Sequence, residues 1–316
     1  MIPSPVPPGQ TARRLEWPLL PPHIRDVVEQ HCGSPVTDAA SQGAGFTPGF
    51  ASVLTCADGS RHFVKAASVK AQRMFAYAYR EEARKLTLLP EAAPAPRLLW
   101  LHDADDWVVL GLEHVDARPP SRPWQDADLE ACLAMLVEAA AVLTPAPDEL
   151  AGDDVRAEFA EWPAYWDHLR ATRPDLAHLE DAAALAARFA EVTVGKTLTH
   201  TDVRDDNLLL CADGRVLLCD WNWPVVGAAW LDSLLLMIGP RGDGLDVDAA
   251  LAAHPLTADV PAEQIDIVLA LVIGYFLKSA DEPVPHTSPH IRDHQRWQGE
   301  VCWDWLSERR GWPRSR

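Results

Sequence analysis

The sequence predicts an α+β fold in two lobes. A small N-terminal lobe over residues 1–112 carries an antiparallel sheet and one long helix, and a larger, mainly helical lobe occupies 113–316. Three observations predict this. Short β-type runs crowd the first third of the chain, and two of them are joined by Asp58-Gly59, a hairpin signal. Beyond Glu113 the apolar residues take on helical spacing. Within that helical part, a single pair of apolar runs flanks Asp213-Gly214, a second hairpin. With 316 residues, 48% of them hydrophobic, the chain can bury two cores.

In chain order, residues 1–22 are proline-rich and are expected to form a loosely packed lead-in, followed by a short helix at 24–30. Strands are expected at 36–40, 51–55 and 61–66, with the glycine-bearing loop SQGAGFTPGF between the first two. A helix over 69–88 ends before Pro90 and Pro94, and strands at 97–102 and 107–112 flank a polar turn. The segment HVDARPPSRPW then acts as a connector. Asp126 is expected to N-cap a helix whose Leu129, Leu133, Leu136, Ala140 and Leu143 share one face, closed by Thr144-Pro145. Further helices are expected at 155–171, 177–192, 230–238, 247–253, 261–279 and 290–309. No internal repeat is visible.

The formal charge of -18 excludes nucleic acid or an anionic membrane as the main partner, since both require basic surface. Its distribution is uneven. Residues 1–112 carry 11 Lys and Arg against 11 Asp and Glu, whereas 113–316 carry 17 against 35. Such a lobe is either simply well solvated or attracts a cationic small molecule. The N-terminus lacks the apolar stretch of a secretion signal, and the longest apolar run, 267–277, is about half of the roughly 20 residues a bilayer span needs, so a cytoplasmic protein is expected. Cys32, Cys56, Cys132, Cys211, Cys219 and Cys302 show neither C-x-x-C nor Cys/His metal spacing, and they are expected to be reduced thiols.

The stretch LTHTDVRDDNLLLCADGRVLLCDWNWP (198–224) carries the chemistry. Its two apolar runs form the second hairpin, with Asn207 before one strand and Asp220 after the other. Both fall at the open end, roughly 20 Å from the turn at about 3.3 Å per residue, and Asp202 enters the same end from the preceding loop. Two carboxylates about 4 Å apart repel by roughly 4 kcal/mol at an effective dielectric of about 20, unless a cation sits near them. Oxygen ligands without His or Cys favour a hard ion that accepts phosphate oxygens, which is Mg²⁺.

His200-x-Asp202-x-x-x-x-Asn207, a hairpin and then Asp220 resemble the catalytic loop and metal-binding Asp of the protein-kinase-like fold. The wording H-T-D-V-R-D-D-N-L-L-L, then C-D-W and G-A-A-W-L-D (227–232), resembles the aminoglycoside phosphotransferase and choline kinase branch; D-F-G and A-P-E are absent. The resemblance covers roughly 36–280. It implies that Asp202 is the catalytic base toward an acceptor hydroxyl, that Asn207 and Asp220 bind Mg²⁺, that His200 braces the loop and that Asp232 is structural. Thr201 stands where the family usually has Gly, and Arg204 where His or Lys is common. Arg204 either clamps the transferring phosphoryl group or pairs with Asp205 or Asp206.

On the nucleotide side, Lys65 resembles the strand lysine that contacts phosphates, with Glu82 on the following helix as its partner and Glu81 as a competitor. Gly43, Gly45 and Gly49 allow backbone near phosphates in a relaxed G-x-G-x-x-x-G pattern. Leu110, Gly111, Leu112, Glu113, His114 and Val115 resemble the hinge that binds the purine of ATP, with GTP left open. For the acceptor, Glu161, Trp162 and Asp167 on one side, Glu300, Trp303 and Asp304 on the other, and Asp205 and Asp206 between are candidates for holding a cation. The expected activity is ATP- and Mg²⁺-dependent phosphorylation of a hydroxyl on a cationic small molecule, first of all an aminoglycoside-like antibiotic. The alternatives are a metabolic kinase for choline, homoserine or an amino sugar, and a catalytically silent ligand-binding protein.

Overall fold

The computed structural model describes residues 1–7, 9, 11–152 and 154–313. Helix α1 (Pro22–Cys32) precedes strands β1 (Val36–Ser41), β2 (Phe50–Cys56) and β3 (Arg61–Ser68), helix α2 (Arg73–Leu88), and strands β4 (Leu98–Ala104) and β5 (Trp107–Leu112). These five strands pair antiparallel in the order β1-β2-β3-β5-β4. Alternation along β3 sorts its side chains: Val64 and Ala66 join Ile24 and Val28 of α1 in one core, while Ala67 packs with Ala76 and Ala83 of α2 on the opposite face. Lys65, one residue from each of its apolar neighbours, therefore projects to the α2 face. There it lies opposite Ala51 and Leu110 in the sheet.

The second lobe begins with β6 (Ala117–Arg118) and α3 (Asp126–Val142), followed by α4 (Val155–Glu158), α5 (Tyr165–Thr172), α6 (Leu179–Ala186) and α7 (Phe189–Val192). After these come β7 (Thr197–Thr199), β8 (Leu208–Cys211), β9 (Val216–Leu218) and β10 (Val225–Gly227), then α8 (Leu231–Leu236), α9 (Ile238–Asp243), α10 (Val247–Ala253), α11 (Ala262–Ala280) and α12 (Ile291–Arg309). The hairpin β8–β9 forms as expected, with β6 on its outer edge. The short pair β7–β10 brackets residues 200–224 and was not legible as strand.

Three local expectations need correction. Asp126 is the first residue of α3 and Gln125 its cap, so its carboxylate acts on the helix dipole from the first turn. The single helix expected over 155–171 is broken into α4, a 3₁₀ turn at Trp162–Ala164 and α5, because Pro163 has no N–H and disfavours helix at the residue before it. The lead-in is anchored, not loose. Trp297 of α12 donates its indole N–H to Ile2 O at 2.6 Å, Val6 is buried, Arg13 N–H reaches Thr287 O at 2.8 Å, and Thr11 and Arg14 bind the loop before β2. No helix among the described residues is long and apolar enough to cross a membrane.

Candidate active site

A cleft of about 530 Å³ lies between the lobes. Ala51, Val53 and Phe63 of the sheet line it on one side and Leu208 and Leu209 of β8 on the other, with Leu112, Glu113, His114 and Val115 at its connector end. Lys65 reaches into it, donating to Glu82 Oε1 and Oε2 at 2.7 and 3.0 Å. It also pairs with Asp220 from the far lobe. Glu81 instead pairs with Arg84 at 3.0 Å, which settles the one-residue ambiguity in favour of Glu82. Burial opposes the Lys65 ammonium, but Asp220 and Glu82 outweigh it and raise its pKa. Asp220 is likewise penalised by burial, and the neighbouring ammonium holds its carboxyl below the usual range. Glu82, the more deeply buried carboxylate, is pushed up by burial.

The glycine loop before β2 takes its shape from both packing and clamping. Gly45 has φ +80°, the left-handed region, and Gly49 has no room for a Cβ, which would meet Tyr79 Oη at 2.5 Å. Thr11 Oγ1 donates to Gly43 O at 3.0 Å, and Arg14 donates to Ala44 O and Thr47 O at 2.6 and 2.7 Å. Of the three loop glycines, Gly43 lines the cleft; Gly45 and Gly49 shape the loop behind it.

Asn207 and Asp220 meet at the open end of the β8–β9 hairpin, where Cys219 N–H donates to Asn207 O at 2.9 Å. The Asn207 amide donates through Nδ2 to Asp202 O and Oδ2 at 2.9 and 3.1 Å. Its Oδ1 is buried with no hydrogen-bond partner among the described residues. A buried acceptor left open at the hairpin end that also carries Asp220 supplies the kind of oxygen donors a hard cation takes, so these residues fit Mg²⁺. Asp202 itself is half exposed to solvent.

The loop carrying Asp202 is held under strain. Thr201 and Asp220 adopt φ of +62° and +64°, a region that β-carbons disfavour. Asp232 counters this by accepting His200 N–H and Thr201 N–H on its two carboxylate oxygens, both at 2.8 Å. His200 Nε2 lies 2.9 Å from Cys219 O, and its ring sits edge-on to Trp221. Two of the acids expected to receive a cation already have partners. Asp205 pairs with Arg122, and Asp206 with Arg204 at 2.9 Å. Arg204 also pairs with Asp202 and lies 5.7 Å from the Phe46 ring.

Beside Asp202 opens a second cleft of about 360 Å³. Half of the side chains lining it are aromatic or aliphatic, and its charged ones are Glu158, Asp202, Arg204 and Asp220. The break before α5 turns Trp162 into its wall, where the indole stacks on Phe159 at 3.9 Å and on Tyr275 of α11 at 4.1 Å. The other acids expected here lie elsewhere. Asp167 pairs with Arg170, Asp304 with Arg241 at 3.1 Å, and Glu161 and Glu300 are exposed outside the lining. Trp303 packs against Trp166 and Trp312. Glu158, Phe159, Tyr275 and Arg122 had no sequence signal, because each comes from an element distant in the chain.

No family model matches the sequence, and neither does the sequence of any curated protein. Solved structures do match in fold. A thermostable mutant of aminoglycoside phosphotransferase APH(4)-Ia, in ternary complex with AMP-PNP and hygromycin B, is 13% identical at a TM-score of 0.62, over 92% of this chain and 99% of that one. Choline kinase LicA from Streptococcus pneumoniae is 15% identical at a TM-score of 0.60, over 89% and 99%. The AMP-bound spectinomycin phosphotransferase APH(9)-Ia is 10% identical at 0.58, over 89% and 97%. The chain thus has the bilobal, protein-kinase-like α+β fold that these phosphotransferases and the choline kinase share.

Proposed function

We propose that this protein is a small-molecule kinase that transfers the γ-phosphate of ATP to a hydroxyl group. The observation that carries this reading is the Lys65–Asp220 pair that closes across the two lobes, with Asn207, at the same open end of the β8–β9 hairpin as Asp220, bonded to Asp202 and its Oδ1 acceptor left open. Asn207 and Asp220 would hold Mg²⁺, which when bound neutralises charge on the phosphate oxygens. Lys65, oriented by Glu82, contacts the α- and β-phosphates. The purine lies against Leu112, Glu113, His114 and Val115, and the apolar walls of the cleft exclude water from it. Asp202, fixed by Asn207 and Arg204, accepts the proton of the acceptor hydroxyl as its oxygen bonds to the γ-phosphorus and the bond to the β-phosphate oxygen breaks. Arg204 is a positioning group for Asp202 as well as a cation near the transferred phosphoryl.

The acceptor end favours a hydroxylated molecule with an apolar or aromatic body and one cationic group over a polycationic aminosugar. Glu158 offers one carboxylate, and Trp162 and Tyr275 offer ring faces on which a single cation or a flat ring can lie. Of the acids singled out as holders of a polycation, Asp167, Asp205, Asp206 and Asp304 are already paired with arginines. A phosphate-transfer screen with ATP and GTP against choline and other hydroxylated amines, aromatic alcohols and aminoglycosides tests both levels. Transfer to a monocationic or aromatic alcohol is expected. Turnover confined to aminoglycosides would overturn the acceptor reading alone, whereas no Mg²⁺-dependent thermal shift with ATP or GTP would favour a silent binding protein.

A further inference from the structure

The six cysteines have no metal spacing in sequence, yet the fold brings two of them to one histidine. Cys32 ends α1, Cys56 ends β2 and His62 is the second residue of β3, and one ligand atom from each lies within 4.8 Å of the other two. The approach follows from how the first lobe packs. Helix α1 lies on the sheet face that carries Phe50, Leu54 and Val64, and Leu54 is the register partner of His62. Alternation puts Cys56 on the same face as Leu54. Gly33, in the left-handed conformation at φ +77°, ends α1 directly above them.

The three side chains are held where they are by neighbouring backbone. Ala57 N–H donates to Pro35 O at 2.8 Å, Asp58 N–H to Ser34 Oγ at 3.2 Å, and Cys56 N–H to Ser60 O at 2.9 Å, so the turn after α1 and the β2–β3 turn form one unit. His62 Nε2 meets Ser60 Oγ at 3.1 Å, which fixes the ring. Cys56 is buried, and Cys32 and His62 are half-buried, so the group is reachable at its edge.

We propose that Cys32, Cys56 and His62 form a binding site for a thiophilic divalent cation of the Zn²⁺ type. Two sulfurs and an imidazole are the donor set that selects such an ion over Mg²⁺ or Ca²⁺. Zn–S bonds of about 2.3 Å and Zn–N bonds of about 2.0 Å need only a small contraction of the present cluster. Binding displaces both thiol protons to solvent, leaves the fourth position of the tetrahedron to water, and ties the end of α1 to the β2–β3 hairpin. The site lies apart from the phosphate-binding cleft, so it is independent of the Mg²⁺ assignment.

Titration of the reduced, chelator-treated full-length protein with Co²⁺ tests the site. One equivalent is expected to give thiolate-to-cobalt charge-transfer absorption together with tetrahedral d–d bands, both displaced by Zn²⁺. Cys32→Ser, at the accessible end of α1, should lose the charge-transfer intensity or weaken it by about half, and Cys211→Ser should leave it unchanged. Because substitutions in a packed lobe can disturb folding, the wild-type chain supplies a second readout: Zn²⁺ should slow alkylation of Cys32 and leave that of Cys211 unaltered. Absence of the cobalt spectrum, an identical spectrum in Cys32→Ser, or quantitative formation of a Cys32–Cys56 disulfide that Zn²⁺ does not prevent would overturn the proposal.

Discussion

The two clefts that meet at Asp220 are built on opposite principles. In and beside the interlobe cleft the polar groups answer one another: Lys65 lies between Glu82 and Asp220, and at the hairpin end that carries Asp220 the Asn207 amide is bonded to Asp202. Next door, Arg204 balances Asp206, and Arg122 balances Asp205. The neighbouring cleft is walled by Phe159, Trp162, Tyr275 and aliphatic side chains, with Glu158 as its one carboxylate or guanidinium besides Asp202, Arg204 and Asp220. Charge at close quarters in a low dielectric demands a partner, so the first region tolerates little substitution. Ring faces and aliphatic walls fill space and can be exchanged, so the second region is where specificity can drift without loss of chemistry. Mutations should therefore separate the two: large effects on rate and stability in the first, modest effects on acceptor affinity in the second.

The largest effect is expected at Asp202. In Asp202→Asn the carboxylate no longer accepts a proton while its hydrogen-bonding shape is retained, so kcat should fall by about 10²–10⁴-fold. The dissociation constant for ATP with Mg²⁺, measured calorimetrically, should stay within about threefold. An unaltered kcat would remove Asp202 from the chemistry. Lys65→Met comes next. It leaves Glu82 and Asp220 facing one another across the space the ammonium filled, and loss of one partner in a buried pair costs about 3–5 kcal/mol. Urea denaturation should show that loss, and nucleotide binding should weaken with it; a stability loss below about 1 kcal/mol would mean that the pair is solvated and the interlobe contact weak.

Both expectations concern residues that were legible in the sequence, and the reason is local. Lys65 is fixed by strand alternation, Glu82 by the next helix, and Asp202, Asn207 and Asp220 by one hairpin whose turn is marked by Asp213-Gly214. The acceptor wall was not legible, because Trp162 reaches Tyr275 only through the packing of an interrupted helix against α11. The interruption itself was announced by Pro163, and the helical period across 155–171 masked it. Charge counting is silent on this wall for a related reason: net charge records how many acids a lobe has, and nothing about which arginine each one meets.

Between the two regions stands His294 of α12, only 6% exposed, close to Phe46 and Trp297 in ring contacts of 5.0 and 5.6 Å. Neither ring nitrogen has a hydrogen-bond partner among the described residues. Burial, aided by the Arg204 guanidinium, holds its pKa down at about 3. An unfolded histidine titrates near pH 6.5, so between about pH 6.5 and 3 the unfolded chain binds a proton that the folded chain refuses. Stability is thus lost as the pH falls below about 6.5, at up to roughly 1.4 kcal/mol per pH unit. His294→Phe should remove about 2 kcal/mol of the difference in unfolding free energy between pH 7 and pH 5. An unchanged pH slope in that variant would show that the folded protein admits the proton, and that the charged region extends to α12.

On the apolar side, Trp162→Ala should raise KM for the acceptor about tenfold, the equivalent of about 1.4 kcal/mol, with kcat and KM for ATP little changed. A matching fall in kcat would mean that the wall also aligns the hydroxyl with Asp202, and the division between the two clefts would then be less clean.

The smallest expected effect lies at Thr201, where the two regions share one residue: its side chain borders the acceptor cleft while its backbone turns the loop toward Asp202. At φ +62° a β-branched residue costs on the order of 1–2 kcal/mol relative to a relaxed backbone. Glycine relieves that strain but adds freedom to the unfolded chain, which offsets about 0.4–1 kcal/mol of the gain. Thr201→Gly should therefore raise the unfolding free energy by up to about 1 kcal/mol. Turnover should change less than about threefold, because the two 2.8 Å bonds that His200 N–H and Thr201 N–H donate to Asp232 do not depend on the Thr201 side chain. Denaturant midpoints at constant m-value, with kcat alongside, measure both numbers. A gain in stability with a large fall in kcat would mean that the strained threonine is itself part of how Asp202 is aimed. A loss of stability would mean that its contacts in the acceptor cleft outweigh the strain, and that the apolar region helps to hold the charged one in place.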